Sequence, residues 1–144
     1  MDDNILNEIL DKHRKWLDDE KGGECADLSH SDLSRSDLRG ADLSHSDLSY
    51  SNLHGADLRR SDLSGANIDC SEWPLWCGSL TAYVDDRIAI QLLYHTLSVV
   101  QHSPYVSDEL KRALLTPGNI DAANRFHRVE ECGVLEVYND GNTI

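Results

Sequence analysis

The sequence has little of what marks several classes of protein. Its 144 residues include one Phe, one Met and three Pro, and aromatic residues make up 6% of the chain. No apolar run approaches the roughly 18 residues that a membrane-spanning helix requires. Met1 is followed by two aspartates, where a secretion signal would have a basic and then an apolar segment. We therefore expect a cytoplasmic protein that does not bind a membrane.

Signatures of common catalytic sites are absent as well. The chain has no G-x-S-x-G nucleophile elbow and no glycine-rich phosphate-binding loop. Ser, His and Asp do stand side by side in residues 28–34 and again in residues 43–49. These are positions of a repeat whose polar side chains point outward, and no oxyanion donors accompany them. We expect no enzymatic activity and no cofactor.

The cysteines offer one alternative chemistry. No Cys-x-x-Cys pair occurs, and without export the four thiols are expected to stay reduced. A Cys and His set of the kind that holds zinc could still be assembled from distant positions. Because a Cys or His on a buried helix face is more often ordinary core, we expect no metal. The candidates for the alternative are Cys77, His95, His127 and Cys132.

A five-residue unit fills the centre of the chain. From Ala26 to Ile68 the units ADLSH, SDLSR, SDLRG, ADLSH, SDLSY, SNLHG, ADLRR, SDLSG and ANI follow one another without a gap. Position one is Ala or Ser, position two is Asp or Asn, and position three is Leu or, once, Ile. A period of five fits neither a helix, near 3.6, nor a strand, near two, so it indicates a solenoid.

These units resemble the pentapeptide-repeat family, whose consensus A(D/N)LXX all nine match. The resemblance implies a mainly β solenoid over residues 24–75, a right-handed quadrilateral β-helix of about 2.25 coils. Each unit would form one face and four units one coil, with the central residue and the small residue two before it pointing inward. The predicted core ladder is Leu28, Leu33, Leu38, Leu43, Leu48, Leu53, Leu58, Leu63 and Ile68.

Helices are predicted on both sides of the repeat, as covers for the open ends of the solenoid. Residues 1–23 form an N-terminal capping helix, with Ile5, Leu6, Ile9, Leu10, His13, Trp16 and Leu17 on its apolar side. Gly22 and Gly23 end it. The repeat stops at Pro74, and residues 76–144 form a C-terminal helical cap and tail. We expect one compact unit.

The C-terminal part divides further into helices and a tail. One helix is predicted from Asp85 or Asp86 to about Gln101, with Ile88, Leu92, Leu93, Leu97 and Val100 buried. A second begins after Ser107 and ends before Pro117, and a third runs from Asp121 through His127. Residues 134–138 form a short strand or an ordered tail, and residues 139–144 are loose.

The net charge of −13 is spread evenly along the chain. Residues 1–25, 26–70 and 71–144 carry −4, −4 and −5. Around the solenoid the charge is uneven, because units four apart share a face. The third face stacks Arg39 over Arg59, with Arg60 beside them. The first and fourth faces carry no base, and their acids are the predicted partner-binding residues: Asp27, Asp47, Asp69, Asp42 and Asp62.

The family includes inhibitors of DNA gyrase and topoisomerase, whose long solenoids resemble B-form DNA. The residues after Trp73 and the run Phe126-His-Arg are similar to short members encoded by phages and prophages. The resemblance implies a non-catalytic, acidic, DNA-mimicking inhibitor that blocks a nucleic-acid-binding host protein without binding nucleic acid directly. A CRISPR effector, a restriction enzyme or a topoisomerase would be such a target.

A second reading is a structural or adaptor module that binds a protein partner through its C-terminal helices. Trp73 and Trp76 flank Pro74 where the repeat ends. They form either a hydrophobic plug over the last coil or an aromatic partner-binding site. The terminal helices could also join two copies in a homodimer.

Overall fold

The computed structural model describes residues 1–74 and 81–138. It divides into two compact units, residues 1–85 and residues 86–144, which we describe separately. The first contains the N-terminal helix and the repeat, and the second contains the remaining helices. The predicted boundaries at residues 23/24 and 75/76, and the prediction of one compact unit, stay predictions. None of the helices in the described parts of the chain is both long and apolar enough to cross a membrane.

The first unit opens with helix α1, Asp3–Leu17. The Asp2 side chain accepts a hydrogen bond from the Asn4 amide and caps the helix start. The helix contacts the first repeat, since Lys12 O accepts from the Glu24 amide and His13 Nδ1 accepts from the Ala26 amide. The predicted helix is confirmed. Its predicted apolar side is partly wrong: Leu6 and His13 are buried, whereas Ile5 and Trp16 are 54% and 41% exposed.

A connection of eight residues leads from α1 into the repeat. Helix α1 ends at Leu17, earlier than the predicted stop at Gly22, and Asp19 already has a left-handed φ of 55°. Gly23 passes so close to the helix that a Cβ atom there would lie 2.3 Å from the Trp16 backbone nitrogen. Only glycine permits that approach.

The repeat forms stacked coils with a period of 20 residues. Isolated parallel bridges join residues in four columns, and we number the columns in chain order. Column 1 holds Asp27, Asp47 and Asn67; column 2 holds Asp32, Asn52 and Glu72; column 3 holds Asp37 and Asp57; column 4 holds Asp42, Asp62 and Tyr83. The predicted assignment of units to faces is thereby confirmed. Within the described residues these bridges are isolated and no continuous strand forms.

The inward positions are those the period predicts. All eight central leucines of the repeat are fully buried, and Ile68 is 4% exposed. The small residue two before each leaves room for it. Two of the inward serines bond the backbone: Ser46 and Ser61 donate to the carbonyls of Leu43 and Leu58 at 2.6 and 2.8 Å. The buried Ser51 hydroxyl, at the same position of its unit, has no such partner, so hydrogen bonding in the narrow interior is incomplete.

Every unit ends in a left-handed residue. Gly40, Gly55 and Gly65 have positive φ as expected for corners, and so do six non-glycine residues at the same position of their units. These are His30, Arg35, His45, Tyr50, Arg60 and Cys70. The corner therefore recurs whatever residue occupies it. Each non-glycine corner costs conformational free energy, which burial of the central leucines must offset.

Hydrogen bonds of the coil type also occur beyond Pro74. On the far side of residues 75–80, the Arg60 amide donates to Thr81 O, and Tyr83 pairs with Asp62 in column 4. The interval from Asp62 to Tyr83 is 21 residues, one more than the regular period. Residues 81 and 83 thus bond to the repeat although the sequence consensus has ended, and the predicted end of the solenoid stays a prediction.

Residues 86–138 of the second unit form four helices: α2, Asp86–His102; α3, Asp108–Leu114; α4, Pro117–Ala123; and α5, Val129–Cys132. Helices α2 and α3 lie where the sequence predicted them, and Ser107 caps α3 as expected. The core of this unit combines Tyr94, Leu97, Val100, Leu115, Ile120, Ala123, Phe126 and Leu135. On α2, Gln91 and Tyr94 are buried in place of the predicted Leu92 and Leu93, which are half-buried.

Helix α4 differs from its prediction. It begins at Pro117 and ends at Ala123, where the sequence analysis placed a helix from Asp121 through His127. Thr116 caps it by accepting from the Asn119 amide, and Pro117 takes the first helical position, where it costs no hydrogen bond. Pro117 thus starts a helix, and the prediction that it stops one and that the next helix begins at Asp121 is wrong. Residues 134–138 are ordered without a strand, and the prediction for residues 139–144 lies outside the described residues.

Candidate functional site

The most distinctive surface of the repeat is formed by columns 1 and 4, which are neighbours because each unit of column 4 leads directly into one of column 1. No Lys or Arg occurs in residues 26–30, 41–50 or 61–70, which build these columns. We call their acids the acidic side: Asp27, Asp42, Asp47, Asp62 and Asp69. Asp27 and Asp42 are exposed, and the other three are half-buried.

Four of the five aspartates of the acidic side bind neutral groups. In Asp27, Asp42, Asp47 and Asp62, Oδ1 accepts the backbone amide two residues later at 2.9–3.0 Å. The Ser29 and Ser44 hydroxyls add a second bond at 2.6 Å to Asp27 and Asp42. These hydrogen bonds fix the carboxylates and leave the negative charge uncompensated.

Hydrogen bonding also favours the charged form of these groups. The Ser29 hydroxyl and amide lower the pKa of Asp27, and the Ser64 side chain and amide lower the pKa of Asp62. Both carboxyls are therefore ionised at neutral pH.

Column 3 shows the contrary arrangement. Arg39 binds Asp37 at 2.5 Å and lies 3.7 Å from Asp57, which in turn binds Arg59 at 2.5 Å. The Arg39 side chain and amide lower the pKa of Asp37 to about 2. The predicted stack of Arg39 over Arg59 is confirmed, and it forms a ladder in which acids and bases neutralise one another. The unbalanced negative charge of the repeat therefore lies on the acidic side.

The hydrogen bond that the side chain at position two accepts from a backbone amide does not need a charged acceptor. Asn52 and Asn67 accept the backbone amides of His54 and Asp69 at 2.9 and 3.2 Å, as the aspartates do in their own units. The lattice therefore accepts either residue. The acidic side carries aspartate at positions where asparagine would serve the fold equally well.

An aromatic pair at the edge of column 1 escaped the sequence analysis. The rings of His30 and Tyr50 stack with centroids 4.9 Å apart and planes 4° from parallel. Tyr50 is 55% exposed. The signal was available in the sequence, because corner residues 20 positions apart share a column. The pair adds aromatic surface beside Asp27 and Asp47, and such surface is frequent in protein interfaces.

The other predicted residues are placed only in part. Trp73 is half-buried at the end of column 2, and Trp76 lies outside the described residues, so their role as plug or binding site stays a prediction. Cys77 also lies outside them. In the parts of the chain that the structure describes, no three His, Cys, Asp or Glu side chains gather in a way that could hold a metal ion. His95, His127 and Cys132 therefore do not form such a group among themselves.

Comparison with known proteins finds a family that matches the repeat. Residues 26–67 match the family described as pentapeptide repeats, in eight copies. This segment consists of pentapeptide repeats. Such repeats account for the five-residue period, whereas the helices on either side lie outside the matched residues.

One solved structure that resembles the chain is the crystal structure of a pentapeptide repeat protein (Rfr23) from the cyanobacterium Cyanothece 51142. The two are 29% identical with a TM-score of 0.33, over 41% of this chain and 36% of that one. The match thus spans about a third of that protein's length. No curated protein matches the chain.

Proposed function

We propose that this protein is a non-catalytic inhibitor whose acidic side occupies a basic, nucleic-acid-binding surface on another protein. The observation that carries the proposal is the segregation of charge around the pentapeptide repeats. Asp27, Asp42, Asp47 and Asp62 keep their full charge on two adjoining columns without a base, while the acids of column 3 are paired with arginines. A one-sided negative potential suits docking onto a positively charged groove.

The density of charge supports mimicry of nucleic acid. Each of the first two coils contributes one aspartate from column 1 and one from column 4, Asp27 with Asp42 and Asp47 with Asp62, and stacked coils lie about 4.8 Å apart. Over these two coils the acidic side presents roughly one negative charge per 2.4 Å of axis, against one per about 1.7 Å for duplex DNA. The stack is only about three coils high, so it would cover a local phosphate-binding site on its target and not a long duplex track.

The remaining features of the fold belong to the same proposal. We infer a right-handed four-sided β-helix for the pentapeptide repeats, with α1 shielding the first coil. A solenoid of this kind needs no catalytic pocket to inhibit an enzyme, since it acts by occupying a binding surface. A phage or prophage origin, with a CRISPR effector, a restriction enzyme or a topoisomerase as target, is the biological setting we propose.

The structure supplies a sharp test of this function. Replacing Asp27, Asp42, Asp47 and Asp62 by Asn removes four charges while keeping the acceptor that Asn52 and Asn67 show to be sufficient. Immobilised protein would be used to capture partners from a lysate of the native host, and bound proteins would be displaced with duplex DNA. We expect the Asn variant to lose the DNA-displaceable partner.

A matched control removes four charges elsewhere. Asp32→Asn, Glu72→Gln, Glu20→Gln and Glu136→Gln change exposed acids outside the acidic side, and Asp32 has the same hydrogen bond to position two. This variant should keep its partner. Equal loss in both variants would reduce the effect to net charge, and equal retention in both would refute the proposed role of the acidic side.

A second candidate function is supported by the second unit. Val99, Tyr105 and Leu110 are exposed by 68%, 96% and 46%, which is unusual for large apolar side chains on helical units. An adaptor that binds a partner, or a second copy of itself, through the C-terminal helices would use such residues. Replacing Val99 and Tyr105 by Ser should then abolish partner capture, and light scattering at low and high salt would reveal a dimer. A monomer under both conditions would exclude the homodimer.

A further inference from the structure

A cleft opens beside helix α1 where the chain enters column 1. It has a volume of about 260 Å³. It lies between the helix residues Ile5, Glu8, Ile9 and Lys12 and the residues from Glu24 to Asp27, where the connection passes into the repeat. A dry cavity of about 150 Å³ holds a benzene molecule. The cleft therefore has room for one large aliphatic side chain.

The walls of the cleft are apolar. Ile5 is 54% exposed, and Ile9, one turn later, is half-buried beside it. Ala26 closes the floor, being 3% exposed. An aliphatic side chain seated here would cover the two isoleucines and remove apolar surface from water.

The rim of the cleft is acidic. Glu8, Glu24 and Asp27 surround it, and Lys12 is its only basic residue. Lys12 lies 3.5 Å from both Glu8 and Glu24, and the charges of these glutamates raise its pKa. The pair of glutamates thus already binds one amine from within the chain. At Asp27 the rim continues directly into the acidic side.

We propose that this cleft binds a single aliphatic side chain of a basic peptide segment, whose flanking Arg or Lys residues lie over the rim and over Asp27 and Asp47. The proposal rests on the proposed function, since it makes the cleft the apolar anchor of the same basic partner. It commits to a protein segment as occupant, because the rim is negative and the walls are apolar. A nucleic acid would be repelled, and a neutral ligand would leave the rim unused.

The test uses two synthetic peptides, acetyl-Arg-Arg-Leu-Arg-Arg-amide and the same peptide with Ala in place of Leu. Affinities for the full-length protein would be measured by titration calorimetry. Burying the larger side chain should make the Leu peptide bind roughly tenfold more tightly than the Ala peptide. In Ile5→Ser this preference should fall to about threefold or less, with affinity for the Ala peptide nearly unchanged.

Two variants separate the cleft from the acidic side. Val137→Ser, at another exposed apolar residue and outside the cleft, should keep the full preference for Leu. The fourfold Asn variant of the acidic side should bind both peptides more weakly while keeping their ratio. If the Ile5→Ser protein proved unstable, NMR shifts of the Ile5 and Ile9 methyl groups in the unaltered protein would report the same contact, with changes expected for the Leu peptide alone.

The outcomes distinguish the two ideas. Equal affinity for the Leu and Ala peptides, with binding still weakened by the fourfold Asn variant, would overturn the cleft and leave the acidic side intact. If the fourfold Asn variant bound both Arg peptides as tightly as the unaltered protein does, the proposed function itself would be overturned. A Gly-Gly-Leu-Gly-Gly peptide that binds as tightly as the Arg peptide would overturn the requirement for basic flanks.

Discussion

His13 Nδ1 accepts a hydrogen bond from the Ala26 backbone amide at 3.0 Å, and the imidazole is completely buried between α1 and the first coil. The bond requires Nδ1 to be unprotonated. The ring stacks on Trp16 with centroids 5.6 Å apart, while Asp42 and His45 face it from the repeat. A single neutral histidine thus joins the N-terminal helix to the pentapeptide repeats.

We predict that this histidine makes the fold acid-sensitive. Burial lowers the pKa of His13 below its usual 6.5, so the unfolded chain takes up a proton before the folded one does. The stability due to neutral His13 is complete above about pH 6.5 and is lost as the pH falls from there towards the folded pKa. Urea unfolding at pH 7.5 and pH 5.5 would measure the loss.

The control for this prediction is a histidine of the repeat that lies away from α1. His54 is exposed on column 2, and His54→Gln should show the same pH dependence as the unaltered protein. His13→Gln, which lacks the titrating group, should show a weaker dependence in this range. If His13→Gln lost as much stability as the unaltered protein between these pH values, another group would be responsible.

The corner at Gly65 gives a second prediction. Gly40 and Gly65 have nearly equal φ values of 64° and 72°. A Cβ atom added to Gly65 would lie 2.6 Å from His45 Nδ1, whereas a Cβ atom added to Gly40 would have no neighbour within 4 Å. Gly40→Ala should cost about 1–2 kcal/mol, the price of a left-handed residue. Gly65→Ala should cost clearly more in chemical denaturation.

The difference comes from the His45 ring. In a double-mutant cycle, His45→Ala should therefore remove most of the extra loss of stability that Gly65→Ala shows over Gly40→Ala. An equal cost for the two alanine substitutions would show that the ring moves aside freely, despite its edge contact with Trp16 at 6.5 Å.

A third prediction concerns the aspartate column. Asp47 accepts the Ser49 amide and also the Asn67 side-chain amide, at 2.9 and 3.2 Å. Asp47→Asn keeps an acceptor for the first bond and should change stability by less than about 0.5 kcal/mol. Asp47→Ala removes it and should cost about 1 kcal/mol. Thermal or urea unfolding of both variants would check this. A large loss in the Asn variant would mean that the charge itself supports the fold.

The leucine ladder gives a fourth prediction. Leu48 is fully buried in the middle of the stack, and Leu48→Ala should reduce the free energy of unfolding by about 2–5 kcal/mol. Leu110, 46% exposed on α3, is the matched control and should lose less than about 1 kcal/mol on the same change. Similar losses at both positions would contradict the central role of the ladder.

The last prediction concerns zinc. Protein purified without chelator should contain no stoichiometric metal by elemental analysis, and chelator should leave its melting temperature unchanged. A bound zinc that is lost in Cys132→Ser would instead support the zinc site formed by Cys77, His95, His127 and Cys132.

The repeat segment was predictable because its period is rigid. Once every fifth residue must be buried, the register places Asp27 over Asp47 and Arg39 over Arg59 without further information, and the bridges and the ion pairs confirm both. The sequence also carried the start of α3 in Ser107. It misled at Pro117, because proline ends one helix and begins another with equal ease.

The sequence by itself determined the coil, its core ladder and the absence of bases from columns 1 and 4, since these follow from local spacing. Only the tertiary structure decided which charges remain unpaired, that Tyr83 pairs with Asp62 beyond the consensus, and that Ile5 borders an acidic cleft. Such features depend on contacts between side chains distant in the chain. A five-residue period fixes where each Cα lies in its own coil, but side-chain partners depend on what stacks above, below and beside it.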